Sequence, residues 1–122
     1  MEDGKNEIAS LSFQFAVRIV KLYKYLTETK KEFILSKQLL RAGTSIGANV
    51  TEAQDAQSKK DFISKISIAL KEAKESRYWI ALLIETDYLP KTNEKVKTLQ
   101  KELESIINIL SAILITSKSN LK

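Results

Sequence analysis

Only three glycines and one proline interrupt 122 residues, where average usage would supply about nine and six. Glycine and proline are the chief local breakers of regular structure, so their scarcity forces long uninterrupted elements. A turn-rich β-sandwich, a collagen-like chain and a flexible linker are excluded on that ground. With 43% hydrophobic and 29% charged residues, the chain has enough apolar surface to build one packed domain of ordinary size. It contains neither Cys nor His, which removes disulfides, thiol nucleophiles, imidazole bases, and thiolate or imidazole metal sites. The opening residues Met1-Glu2-Asp3-Gly4-Lys5-Asn6-Glu7 have neither the basic nor the apolar region of a secretory signal. The longest apolar stretch, Ile106 to Ile115, is broken by Asn108 and Ser111 and falls short of the roughly 18 residues a membrane span needs. A cytoplasmic protein with no membrane partner is expected.

The pattern predicts a single all-α domain over residues 1–122, an up-and-down antiparallel four-helix bundle with helices at about 11–28, 33–57, 59–88 and 93–116. Thr27 to Lys31 is a polar connector. Ser58 followed by Asp61 supplies the side-chain acceptor and the carboxylate of an approximate capping box. Pro90 is expected to stop the third helix, and Thr92 or Asn93 to cap the fourth. Met1 to Ser10 and Lys118 to Lys122 read as polar tails.

The fourth segment has the plainest period. Val96, Leu99, Leu103, Ile106, Leu110 and Ile113 step by three and four and share one stripe, as a helix with one buried side requires. The first segment exceeds that requirement. Phe15, Ile19, Leu22 and Leu26 make a core stripe, while Phe13, Ala16, Val17, Val20 and Tyr23 widen the apolar arc past half the circumference. The third repeats the excess, with Ile68, Trp79 and Leu82 beside its core line. Helices apolar on two sides in so short a chain predict a homo-oligomer.

The second segment is unusual for a helix. It carries Gly43 and Gly47, each of which costs about 1 kcal/mol relative to Ala. Spaced by four, with Ala42 and Ala48 nearby, they would let another helix approach closely. Beside them Gln38, Arg41, Ser45, Asn49 and Glu52 form a polar ladder. Two readings fit it: a solvated or internally hydrogen-bonded face, or a ligand or nucleic-acid surface. On the third segment Glu72 and Glu75 could in principle bind metal, but a bundle metal centre of the Glu-x-x-His kind needs histidine. No cofactor is expected, and the two acids are read as partners for Arg41, Arg77 or Lys71. Trp79 could stack on a base; its place beside an apolar line also suits packing at a core or interface.

These residues carry a resemblance. Gln38, Arg41, Ser45, Ile46, Asn49 and Glu52, then Asp61-Phe62, then Glu72-Ala73-Lys74-Glu75 followed by Tyr78-Trp79, resemble the 23S rRNA intervening-sequence proteins, also known as the S23 ribosomal protein family. Members often carry Glu-Gly where this chain has Glu52-Ala53. The resemblance covers nearly the whole chain and implies a four-helix bundle assembling as a ring-like homo-oligomer, a pentamer. The chain is also similar to the accessory bundle proteins of diversity-generating retroelements, which implies an RNA or a reverse transcriptase as partner. No catalytic residue comes with either likeness, and no enzyme is expected.

Charge is uneven along the chain. Residues 11–31 sum to a net charge of +4 and residues 91–122 to +3, out of +5 overall. In the first segment Arg18, Lys21 and Lys24 are expected to lie with Gln14 in an arc of about 60°, a stripe rather than a scatter, and are read either as a solvated helix face or as phosphate-binding cations. The functional expectation is RNA binding through basic helix faces; a pure protein-interaction scaffold is the alternative.

Overall fold

The structure, a computed structural model, describes the backbone of residues 2–121 and the side chains of residues 7–121. Four helices account for it: α1 (Glu2–Glu28), α2 (Leu35–Gln54), α3 (Lys59–Glu85) and α4 (Glu94–Ser119). Short connections make successive helices antiparallel neighbours. Each packs on the next, α4 closes back onto α1, and among the described residues no close backbone approach crosses either diagonal. This is the square, all-α, up-and-down bundle that the segment pattern predicts. Its core is mostly aliphatic around one phenyl ring, built on Phe15 and Ile19 of α1, Leu39 and Ile46 of α2, Ile66 and Ile80 of α3, and Leu103 and Ile106 of α4, all buried.

The boundaries differ from the expected ones for identifiable reasons. Helix α1 begins well before Leu11, so the reading of Met1 to Ser10 as a polar tail is corrected; Met1 itself lies outside the described residues. Ile8 is buried in the core, two turns below Phe15 on the same stripe. Ser12 hides that continuity in the sequence. It is fully buried because its hydroxyl donates to the Ala9 carbonyl at 3.3 Å, so a polar residue sits at a core position at little cost. At the far end α4 runs on to Ser119, past the expected stop at 116.

Helix α2 starts at Leu35, two residues after Phe33. The carboxylate of Glu32 accepts hydrogen bonds from the backbone N–H groups of Ile34, Leu35 and Ser36 at 3.2, 2.9 and 2.6 Å. One side chain thus satisfies three of the donors that a helix start leaves open. Burial pushes the Glu32 carboxyl up, but these donors and the Ser36 hydroxyl outweigh it and hold the group below its ordinary value. Helix α3 ends at Glu85, before Pro90 can act. Asp87 adopts φ 69°, the Tyr88 N–H returns to the Leu83 carbonyl at 2.9 Å and the Asp87 N–H to Ile84 at 3.1 Å. That pair of bonds is a Schellman stop, here with Asp in the left-handed position that glycine usually takes. The other caps are as expected: Ser58 Oγ accepts from Asp61 N–H at 3.0 Å, and Asn93 Oδ1 from Lys95 and Val96. Asp61 in return accepts from Gln57 N–H at 3.3 Å.

The two glycines of α2 face α1, and neither has a positive φ; their value lies in the missing side chain. A Cβ at Gly43 would stand 2.8 Å from Ile19 Cγ1 and 2.9 Å from Cγ2, and one at Gly47 would stand 3.3 Å from the Ser12 carbonyl oxygen. The apolar excess of α1, by contrast, stays uncovered in the single chain, with Phe13 69% exposed and Val17 and Val20 also exposed.

Gly43→Ala should lower stability by about 1–2 kcal/mol, because overpacking against a stiff β-branched side chain costs about 1–3 kcal/mol and better helix propensity returns at most about 1. Urea unfolding of Gly43→Ala, Gly47→Ala and the Gly43→Ala/Ile19→Ala pair checks this. The Gly47 variant should lose less, and in the pair the Gly43 change should no longer add a loss. A more stable Gly43→Ala would show that the contact yields.

Candidate functional site

The sequence motif converges on the seam between α2 and α3. Arg41 reaches across it to both acids of the third helix. Its Nη1 lies 3.3 Å from each oxygen of Glu72, and its Nη2 lies 2.8 and 2.7 Å from the two oxygens of Glu75. Glu72 and Glu75 are three apart and therefore share a face, which lets one planar guanidinium serve both. The two carboxyls respond differently. Burial, and then the neighbouring Glu75, push Glu72 up against the opposing pull of Arg41, whereas the hydrogen bonds from Arg41 hold Glu75 down. One positive charge thus neutralises one acid of the pair.

Three more members of the ladder, Ser45, Asn49 and Glu52, are also engaged. Asn49 Nδ2 donates to the Ser45 carbonyl at 2.9 Å and to Ser45 Oγ at 3.1 Å. Glu52 pairs with Lys65 at 2.9 Å, a contact not foreseen in the sequence. Gln38 is exposed at the start of the same face. Trp79 is partly buried against the core and meets Tyr78 edge-on, ring centroids 5.1 Å apart. Its buried Nε1 has no hydrogen-bond partner of ordinary geometry, yet the indole N–H helps to hold down the Glu75 carboxyl.

The three cations singled out on α1 separate. A step of three residues turns a helix by about 300°, so successive members drift by about 60°. Arg18 consequently falls at the α1–α4 seam. Its Nη1 meets Glu102 Oε2 at 2.6 Å, and its Nη2 donates to the Lys95 carbonyl at 2.8 Å and to Thr98 Oγ1 at 3.1 Å. Lys21 and Lys24 stay exposed. On α4, Lys97 and Lys101, next in sequence to Thr98 and Glu102, are exposed too, and among the described residues none of these four lysines has an ion pair. The basic surplus of the fourth helix is legible in the sequence, but nothing there singles out Lys97 and Lys101 as sites. Glu102 as the partner of Arg18 is not legible at all, since a pair 84 residues apart leaves no local signal.

A cleft of about 580 Å³ opens where α2 ends and α3 begins, lined by Ala53, Phe62, Ile109, Ile113 and neighbouring small polar residues, with Lys59 the only ionisable side chain among the described ones. No helix among the described residues is long and apolar enough to cross a membrane.

Replacing Arg41 by Gln should lower stability at pH 7 by about 1 kcal/mol or less, since the guanidinium is half exposed and solvent screens it. The deficit should shrink as pH falls below the ordinary carboxylate range. Without Arg41 the two acids repel, both favour the protonated form, and protonation relieves the penalty. Thermal melts of parent and variant across this range check the sign; a deficit that grows on acidification contradicts it.

The comparisons with known proteins agree with this geometry. The sequence profile of the 23S rRNA-intervening sequence proteins matches residues 4–112. Among solved structures, one similar to this chain is a Bacteroides thetaiotaomicron VPI-5482 protein with unknown function from the S23 ribosomal protein family. It is 50% identical, covers 91% of this chain and 97% of its own, and superposes with a TM-score of 0.86. None of the curated proteins matches. With its profile match over most of the chain and its motif gathered on one helix seam, this protein belongs to the 23S rRNA-intervening sequence protein family.

Proposed function

We propose that this protein is a non-enzymatic, cytoplasmic homo-oligomer that binds structured RNA, ribosomal RNA being the class its family name suggests. The observation that carries the reading is a group of exposed cations, Lys21 and Lys24 on α1 with Lys97 and Lys101 on α4, that have no ion pair among the described residues and lie on the two helices that Arg18 ties together. Lysines without a protein counter-ion can exchange small counter-ions for phosphates, which is the basis of sequence-independent nucleic-acid binding. The α2–α3 seam plays a different part, since its charges satisfy one another and set how the helices lie. Arg18 belongs with the seam residues, because its donors are committed to α4.

Self-association supports the function by repetition. The exposed apolar line Phe13, Val17 and Val20 offers a surface for a second copy, and a ring, five-membered in this reading, would repeat the basic face once per subunit so that weak contacts add. That same line favours a second reading, a homo-oligomeric scaffold or reverse-transcriptase accessory protein that binds no RNA of its own.

Changing Lys21, Lys24, Lys97 and Lys101 together to Gln should weaken RNA binding and flatten its salt dependence, by up to about 0.7–0.9 in log–log slope for each phosphate no longer neutralised. The melting temperature should hardly move. Arg18→Gln should do the reverse, lowering the melting temperature by an amount consistent with about 1 kcal/mol while leaving the salt slope in place. Fluorescence anisotropy over a salt series, with light scattering for subunit number, decides. A parent that assembles but binds no RNA favours the scaffold.

A further inference from the structure

The connection between α1 and α2 exposes two large apolar residues in succession. Phe33 is 58% exposed and Ile34 75%, although the sequence pattern places Phe33 inside the second helix. Such residues at a loop tip would ordinarily fold down onto the nearby core. Here the backbone holds them out. Below them, the Leu26 carbonyl accepts from Glu32 N–H at 2.9 Å and the Tyr25 carbonyl from Thr29 and Lys30. Lys31 takes the left-handed φ of 56°. Above them, the Glu32 carboxylate gathers the N–H groups of Ile34, Leu35 and Ser36, and Ser36 Oγ donates to the Glu32 carbonyl at 2.7 Å. Phe33 is thus fixed between two hydrogen-bonded anchors.

The surroundings give the ring a chemical context. Lys30, Lys31 and Lys37 flank it and are exposed, whereas Glu32 turns its charge inward and is buried. Glu28 is the one exposed acid between Lys24 and Lys37. An exposed aromatic ring carried on an anchored backbone among cations combines the two elements of single-stranded nucleic-acid binding, a stacking platform and phosphate contacts. We propose that residues 30–37, the connection with the first turn of α2, are a second RNA contact, in which Phe33 stacks on an unpaired base, Ile34 packs beside it, and Lys30, Lys31 and Lys37 hold the adjoining phosphates. The proposal rests on the RNA-binding reading above and adds the class of RNA: one with a single-stranded loop or bulge, because in a duplex the base faces are covered and only phosphates are offered.

The test uses the full chain with three probes: a short single-stranded oligouridylate, an RNA duplex of the same length, and vesicles containing anionic phospholipid. Phe33→Ala should weaken single-strand binding about tenfold and leave duplex binding and the melting temperature unchanged. Phe33→Trp should keep single-strand affinity. Phe33→Leu, which keeps an apolar side chain but removes the π-face, should behave like Phe33→Ala. If Phe33→Leu binds the single strand like the parent, the ring does not stack and the proposal is overturned; if Phe33→Ala loses vesicle binding or subunit assembly while its RNA affinity stays, the tip docks on a membrane or a second copy and the proposal is overturned as well. A parent that binds RNA with an affinity unaffected by Phe33→Ala sinks this site and leaves the RNA reading standing. A parent that binds neither RNA sinks both.

Discussion

The bundle depends on how closely α1 lies against α2. Gly43 and Gly47 present no side chain to α1, so Ile19 and the Ser12 backbone occupy the space that two Cβ atoms would fill. Two glycines in one helix sacrifice about 2 kcal/mol of propensity, and close packing over the whole α1–α2 contact offsets it. The consequence reaches further than the contact. With α1 drawn in along its Ile8–Ser12–Phe15–Ile19 side, Phe13, Val17 and Val20 are left on the outside, and Arg18 is carried to the seam with α4.

Polar contacts divide the remaining surface. Between α2 and α3, Arg41, Glu72, Glu75, Glu52 and Lys65 meet one another; between α3 and α4, Arg77 meets Glu104 at 3.2 Å. These partly exposed pairs are individually weak. Their arrangement sets helix register more than it adds stability, and it leaves charge uncompensated on other surfaces. The exposed lysines of α1, α4 and the α1–α2 connection are among those that could take phosphate without breaking an ion pair of the described residues.

The fold was legible because its signal is periodic. The stripe from Val96 to Leu110 and the Ser58 and Asn93 caps are local patterns, and all appear as expected. The pairing of Glu72 and Glu75 with Arg41 was legible as a possibility through their shared helix face. What escaped was non-local or contrary to local preference. Ile8 was hidden by the buried Ser12. The stop at Asp87 uses a residue that a glycine search passes over. Phe33 reads as the start of a helix until Glu32 is seen capping the donors beyond it. The apparent stripe of Arg18, Lys21 and Lys24 dissolved because equal spacing in sequence is a spiral on a helix, and Arg18 found Glu102 on a helix that no local window contains.

The central claim is a division of labour: the motif seam between α2 and α3 sets helix register with charges that pair one another, and in the proposed reading RNA is met on the lysine-bearing surfaces of α1, α4 and the segment joining α1 to α2. Lysine-modification footprinting read by mass spectrometry, on the assembled protein with and without a structured ribosomal RNA, tests it most directly. RNA should protect Lys21, Lys24, Lys30, Lys31, Lys37, Lys97 and Lys101, while Lys65, paired with Glu52 on the seam, keeps the reactivity it has without RNA. Protection centred on Lys65, with the α1 and α4 lysines unchanged, would place the RNA on the motif seam and contradict the account.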